Sequence, residues 1–399
     1  MNYVVITSLF RPLVRGGAEV VVEDIVDELK KKHTVRVLTI CDWKGLRSLM
    51  FNSSFEDGIC VERLYPLNLF SFLDVNAKPY WMRALWHLMD MFNIHTYGSI
   101  LHYLQKNKPD CVMTHNLKGM GYLIPLAIRH AGIKHIHTLH DVQLVVPTGL
   151  LFWKKENEEH KLQNLFHAWC SRLLFGSPHV VISPSLFLKT FYERRGFFPH
   201  SQRTVLANPM RSVGSATHDI LCQKNLQSAI HFFAAGTLNE AKGILFLCRA
   251  FHKLPEQHIR LWIAGLGPDE EEIKRLCKND SRIAFLGRLS HEKVLSNLQN
   301  MHYSIVPSLC YENSPTIIGE SFSCGIPVIA ADIGGAAEHI EDGVNGFVFT
   351  PADTSSLFHA MDRAIISKHY DQMRHAAARS MNGRDCASYV KHVIQIQTP

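Results

Sequence analysis

The chain alternates between short apolar runs and longer segments whose apolar residues recur at helical spacing. The run Tyr3 to Ile6 leads through a glycine turn at Gly16-Gly17 into Val21, Val22, Ile25, Val26 and Leu29, which share one helix face. A β-rich run, Val35 to Ile40, follows the basic helix end Lys30-Lys31-Lys32, and the three pieces make a right-handed βαβ unit. Further strands are expected at Cys111 to Thr114, Ile133 to Leu139 and Val180 to Ser183, separated by helix-forming stretches such as Gly119 to His130. Beyond Asn208-Pro209 the periodicity fades. It resumes with strands His231 to Ala235, Arg260 to Ala264, Ile283 to Leu286, Tyr303 to Val306 and Val328 to Ala330, interleaved with helices from about Gly243, Asp269, His291, Pro315 and Asp353.

Two such alternations imply an α/β protein of two doubly wound, Rossmann-like domains facing a central cleft. The expected divisions are an acceptor-binding domain over 1–208, a linker over 209–228 and a donor-binding domain over 229–369. The C-terminal segment 370–399 is expected to be a helix that packs back on the first domain. At 399 residues the chain is long enough for each domain to bury its own core.

Composition narrows the function classes. A net charge of +6, not gathered into one basic run, suits anionic small molecules or a lipid surface and excludes a nucleic-acid binder. The start lacks a basic region followed by a long apolar core, and no stretch is long enough to span a bilayer. A cytoplasmic protein, working at the inner face of a membrane, is therefore expected. The ten cysteines form no CxxC pair and read as buried free thiols. Among the histidines, strand alternation puts His135 and His137 on one face and His140 on the other, a poor zinc set.

The segment Glu312 to Glu320, ENSPTIIGE, carries the clearest chemistry. It follows a strand, so Ser314 is expected to cap the next helix, with Pro315 at its first position. Thr316 and Ile317 then present free N–H groups on which a diphosphate can dock. Glu312 on the loop and Glu320 within the helix offer carboxylates to sugar and ribose hydroxyls. A plain surface reading instead leaves Glu312 solvated on its loop and Glu320 on an outer helix face.

This segment, with Ser323 to Ala330, Ile333 to Glu338, Asp342 to Gly346 and Thr350 to Asp353 following in order, closely resembles the E-x7-E region of family 4 glycosyltransferases of the GT-B fold. The resemblance implies retaining transfer from a nucleoside diphosphate sugar, a UDP-sugar or GDP-sugar, with no cofactor and no metal. Gly236 to Gly243 looks like the family's diphosphate block G-R-x4-K-G. Lys242 matches, whereas Thr237 replaces the arginine. Gly287-Arg288 corresponds to the stretch that passes the nucleotide base, and Gly16-Gly17 to the first glycine loop, which closes over the donor phosphate or admits the acceptor. His140 resembles the family's histidine near the donor sugar. Catalysis thus falls to Glu312, His140 and Lys242.

The acceptor, a glycan or lipid-linked hydroxyl, is expected at the first domain. Aromatic stretches at Tyr80 to Met89 and Phe152 to Lys155 there either touch a lipid surface or pack in the core. Two rivals remain at this level: a sugar-nucleotide epimerase of similar fold, which needs no acceptor, and a non-catalytic nucleotide-sugar binding protein.

Overall fold

The computed structural model describes residues 1–13, 16–210 and 229–397. The chain divides into two compact units. The first comprises Met1–Gly149, Asn157–Pro209 and the C-terminal stretch from Cys386; the second comprises Leu150–Glu156 and Met210–Asp385. From 211 onward the linker expected over 209–228 lies outside the described residues.

The first unit is built on strands β1 (Asn2–Ile6), β2 (Thr34–Ile40), β3 (Asn52–Glu56), β4 (Ile59–Leu64), β5 (Cys111–Thr114), β6 (Lys134–Thr138), β7 (Val180–Ser183) and β8 (Gln202–Val205). Its helices are α1 (Gly17–Leu29), α2 (Tyr80–Met91), α3 (Ile94–Asn107), α4 (Ile124–Ala131), α5 (Leu162–Phe175) and α6 (Leu186–Glu193). The sheet order is β3-β4-β2-β1-β5-β6-β7-β8. All pairs are parallel except the edge hairpin β3–β4, whose polar strand NSSFE carries no apolar alternation for a sequence reading to find. The central strands are apolar on both faces, as a sheet covered on both sides requires: β5 and β7 are buried throughout.

The second unit holds β9 (Ile230–Ala235), β10 (Ile259–Ala264), β11 (Ile283–Gly287), β12 (Tyr303–Val306), β13 (Val328–Ala331) and β14 (Gly346–Phe349) in the order β11-β10-β9-β12-β13-β14. Helices α7 (Ile244–Phe251), α8 (Glu270–Asn279), α9 (His291–Leu298), α10 (Thr316–Ser323), α11 (Thr354–Ile365) and α12 (Tyr370–Arg379) accompany it. Phe232, Leu247, Phe251, Ile263, Ile305 and Met361 form its core, each buried to 1% exposure or less.

Several local expectations change. The segment 370–399 is not one helix: α12 ends at Arg379, and a separate helix, α13 (Cys386–Gln397), begins beyond Gly383, whose φ of +74° breaks the helical path. Tyr389, Val390 and Val393 of α13 join the core of the first unit beside Val22 and Ile25 of α1. The helix expected from Gly119 starts only at Ile124, because Gly119 and Gly121 both take positive φ. Phe152 bridges Cys310 and Trp153 packs against Tyr311, so this stretch is part of the second unit's own structure. The described cysteines are all free.

Candidate active site

In the second sheet the chain runs outward from β9 to β10 and β11, then returns to place β12 on the other side of β9. The loops after β9 and β12 therefore diverge at a topological switch point, where open α/β sheets bind ligands. Lys242 lies on the first of these loops and Glu312 on the second.

Two backbone features bring them together. Leu309 N donates to Ala241 O at 2.8 Å. Gly243, at φ +65°, comes so close to β12's end that a Cβ there would stand 1.9 Å from Pro307 O. Only glycine permits that approach. As a result Lys242 Nζ meets Glu312 Oε2 at 2.5 Å. The Ser308 hydroxyl donates to the other carboxylate oxygen, Glu312 Oε1. Burial works against the Lys242 ammonium, but the neighbouring carboxylate outweighs it and holds its pKa above the ordinary lysine value. The backbone of Glu312 is clamped as well: Gly335 N donates to Glu312 O at 2.7 Å. A Cβ on Gly334, itself at φ +62°, would stand 2.4 Å from the same oxygen.

The helix start differs from expectation. Pro315, not Ser314, is the cap residue of α10, and no side chain caps it. Ser314 is turned aside by His339, whose Nε2 lies 3.2 Å from its hydroxyl. Arg384 donates to His339 Nδ1 at 3.0 Å, which leaves the proton on Nε2 facing Ser314. Burial and the Arg384 charge lower the His339 pKa to about 4. With no capping side chain, the first-turn amides of Thr316 and Ile317 have no acceptor within the helix. That leaves two donors at a positive helix end.

Neither glutamate is a solvated surface group: the side chains of Glu312 and Glu320 are 11% and 13% exposed. Burial pushes the Glu320 carboxyl above the usual range, with His291 (Nδ1 to Oε1, 3.6 Å) and the Thr316 hydroxyl pulling it back. Arg288, exposed just past β11, has no side-chain partner among the described residues, and Gly287 precedes it at φ +69°. Thr237 is exposed on the β9 loop. Ser308, His339, Arg384 and His291 were missed by sequence reading. No local pattern marks them, since each reaches the site from a different loop or helix.

In the first unit the switch point lies between β1 and β5. Here Ser8 Oγ donates to the carbonyls of Asn116 (2.8 Å) and Lys118 (2.6 Å), binding the two loops together. Gly16 and Gly17 open α1, and the Glu19 carboxylate accepts from Gly16 N at 2.7 Å. His140, past the end of β6, lies with Nε2 3.0 Å from His115 Nδ1. Burial lowers the His140 pKa to about 4 and that of His115 well below the ordinary histidine value, so both rings are neutral at physiological pH. A cavity of about 10 Å³ beside them takes one water and no sugar ring. Asp141, next in sequence, is pushed up to about 6 by burial, although Gln143 N–H bonds it at 2.8 Å. His135 and His137 share the Thr114 hydroxyl at 2.7 and 2.8 Å, and His137 lines the same cavity as His115 and His140. Among the described residues no three histidine, cysteine or acidic side chains gather as a metal site, and no helix is long and apolar enough to cross a membrane.

The family model described as Glycosyltransferase Family 4 matches residues 15–210, and that described as Glycosyl transferases group 1 matches 229–366. An uncharacterised 42.6 kDa protein of the cps region of Klebsiella pneumoniae is 22% identical over 85% of this chain and 87% of its own length. The lipopolysaccharide 1,2-N-acetylglucosaminetransferase of Salmonella typhimurium is 26% identical over 61% of this chain and 68% of its own. Among solved structures, Anabaena HepE in complex with UDP superposes with a TM-score of 0.72 at 17% identity, covering 99% of both chains.

Proposed function

Because the chain belongs to the family 4-like glycosyltransferases of the GT-B fold, we propose that it moves a hexosyl group, with retention, from a UDP-sugar or GDP-sugar to a hydroxyl of a glycan or lipid-linked acceptor. The biological setting of this reading is polysaccharide or glycoconjugate biosynthesis at the cytoplasmic face of a membrane. One observation carries it: Lys242 paired with a largely buried Glu312 at the switch point of the second sheet, beside a helix start left uncapped.

In this reading Lys242 and the amides of Thr316 and Ile317 take the diphosphate, with Thr237 and Ser314 on the flanking loops. Glu320 accepts from the ribose hydroxyls, and Gly287-Arg288 pass the base. Glu312 accepts from sugar hydroxyls, and within the first unit His140 and Gly16-Gly17 are the candidates for contact with donor or acceptor. The bond from the anomeric carbon to the diphosphate oxygen breaks as the acceptor oxygen bonds on the same face, and the acceptor proton passes to the departing phosphate oxygen. Lys242 and the helix start stabilise the charge that develops there. The diphosphate charge is met by these groups, so the transfer needs no metal; activity abolished by a chelator and restored by a divalent cation would count against this.

Support for a uridine donor comes from HepE, solved with UDP, and for a glycoconjugate acceptor from the Salmonella transferase. The test is a calorimetric screen of UDP-, GDP- and ADP-sugars followed by transfer to candidate acceptors, with the product's anomeric configuration read by NMR. Glu320→Ala should weaken nucleotide binding, and Glu312→Ala should lower transfer more than affinity. Binding and turnover unchanged in both variants would overturn the assignment.

A further inference from the structure

The first unit leaves two helices with an apolar face uncovered. On α2, Trp86 and Asp90 point into the unit, while Trp81, Leu85, Leu88 and Phe92 recur at helical spacing on the opposite side and stand exposed, Trp81 at 67%. On α5, Asn164, His167 and Ser171 are buried, whereas Leu162, Phe166, Trp169 and Leu173 face outward, Leu162 at 84%. The Tyr80 hydroxyl donates to Gln163 Oε1 at 2.6 Å, so the first turns of the two helices lie side by side. An apolar surface on this scale marks an interaction site.

Its charge pattern selects the partner. α5 carries no acidic residue, and the only one on α2, Asp90, is buried. Beside α5 opens a groove of about 520 Å³, lined by Leu165, Trp169 and Phe197 and by Arg172, Arg194 and Arg195. Arg195 is occupied by Glu159 (Nε to Oε2, 3.1 Å) and by Phe191 O at 2.8 Å. Arg172 has only a 3.5 Å contact with Arg195 O. Arg194 has no side-chain partner among the described residues. Two guanidinium groups thus keep unspent donors in a groove walled by aromatic rings.

We propose that the α2 and α5 face docks on a bilayer, its apolar stripes entering the interfacial region while Arg172 and Arg194 take the phosphate of an anionic lipid headgroup in the groove. Tryptophan and tyrosine favour that depth, and a guanidinium matches phosphate with two parallel hydrogen bonds. A protein partner would be met by a mixed polar rim; here the groove's carboxylate, Glu159, is taken by Arg195, and the charge left over is that of Arg172 and Arg194, which fits an anionic surface. The inference deepens the membrane contact in the reading above, but it stands on the geometry of these two helices and not on sugar transfer.

The test is vesicle flotation of the full chain with phosphatidylcholine alone and with phosphatidylcholine and phosphatidylglycerol in equal parts. Binding is expected on the anionic vesicles and weak on the neutral ones. Arg172→Gln and Arg194→Gln should each weaken binding about fivefold. Trp81→Ser with Trp169→Ser should abolish it at unchanged melting temperature, since both rings are solvent-exposed. Inorganic phosphate serves as a soluble probe: if it protects the protein from heat and displaces it from vesicles, the groove takes free phosphate and the lipid proposal fails. Absence of binding to anionic vesicles, variants that bind like the parent, or a concentration-dependent dimer abolished by the tryptophan substitutions would each overturn it.

Discussion

Replacing Lys242 by alanine separates the structural from the chemical role of the Lys242–Glu312 pair. The substitution leaves a carboxylate that is 11% exposed without its cation, although Ser308 still donates to it. Lys242 itself is 36% exposed, so the loss falls between that of a surface pair and that of a fully buried one, about 1–3 kcal/mol. For a domain of this size each kcal/mol lowers the melting temperature by about 2–4 °C. The chemical role is larger: removing one donor aimed at developing negative charge costs about 100- to 1000-fold in kcat. Melting curves and nucleoside diphosphate release in the presence of acceptor measure the two effects side by side. The double variant Lys242→Ala/Glu312→Ala removes both charges, so its stability should recover most of the loss while transfer does not. A Lys242→Ala enzyme that melts lower yet transfers sugar within about threefold of the parent, a difference well under 1 kcal/mol in the barrier, would refute the chemical role and leave only the structural one.

Three further outcomes follow from the same geometry. Glu320→Gln should weaken nucleotide binding about tenfold, the loss of one hydrogen bond to a charged acceptor, while raising the melting temperature at neutral pH. The sign follows from burial: a carboxyl whose folded pKa is raised contributes stability below its unfolded value and loses it as pH rises, so the variant's advantage in melting should vanish in acid. A rise in stability that persists unchanged in acid would contradict this. Gly243→Ala should cost about 3 kcal/mol or more in chemical denaturation, because its Cβ would stand 1.9 Å from Pro307 O in a left-handed backbone; a variant as stable as the parent would disprove the close approach. Thr237→Arg should tighten UDP binding about tenfold or more by adding a guanidinium contact to phosphate, read by calorimetry, and unchanged affinity would place residue 237 away from the diphosphate.

Much of the architecture is local and was legible. Strands such as Cys111–Thr114, Val180–Ser183 and Tyr303–Val306 coincide with the apolar runs that announce them, because a strand covered on both faces reads as a near-continuous apolar run. Edges were illegible for the same reason: β3, half-exposed, needs no apolar pattern. Glu312, Lys242 and the α10 helix start were visible as candidates because turn and helix chemistry is written in neighbouring residues.

Contact between those candidates was not. Lys242 and Glu312 are 70 positions apart, and they meet only because β12 returns beside β9, a matter of strand order that no local periodicity encodes. The same holds for His115 against His140, and for the diversion of Ser314 to His339, which overrides its strong propensity to cap a helix. On α2 the sequence favoured core packing over contact with a lipid surface for its aromatic residues. Burial decided between them, since Trp86 fills the interior and Trp81 does not. The sequence by itself determined which elements form and which residue types stand at their ends. Only the tertiary structure decided which of those ends converge and which apolar faces stay uncovered, because both depend on contacts between segments far apart in the chain.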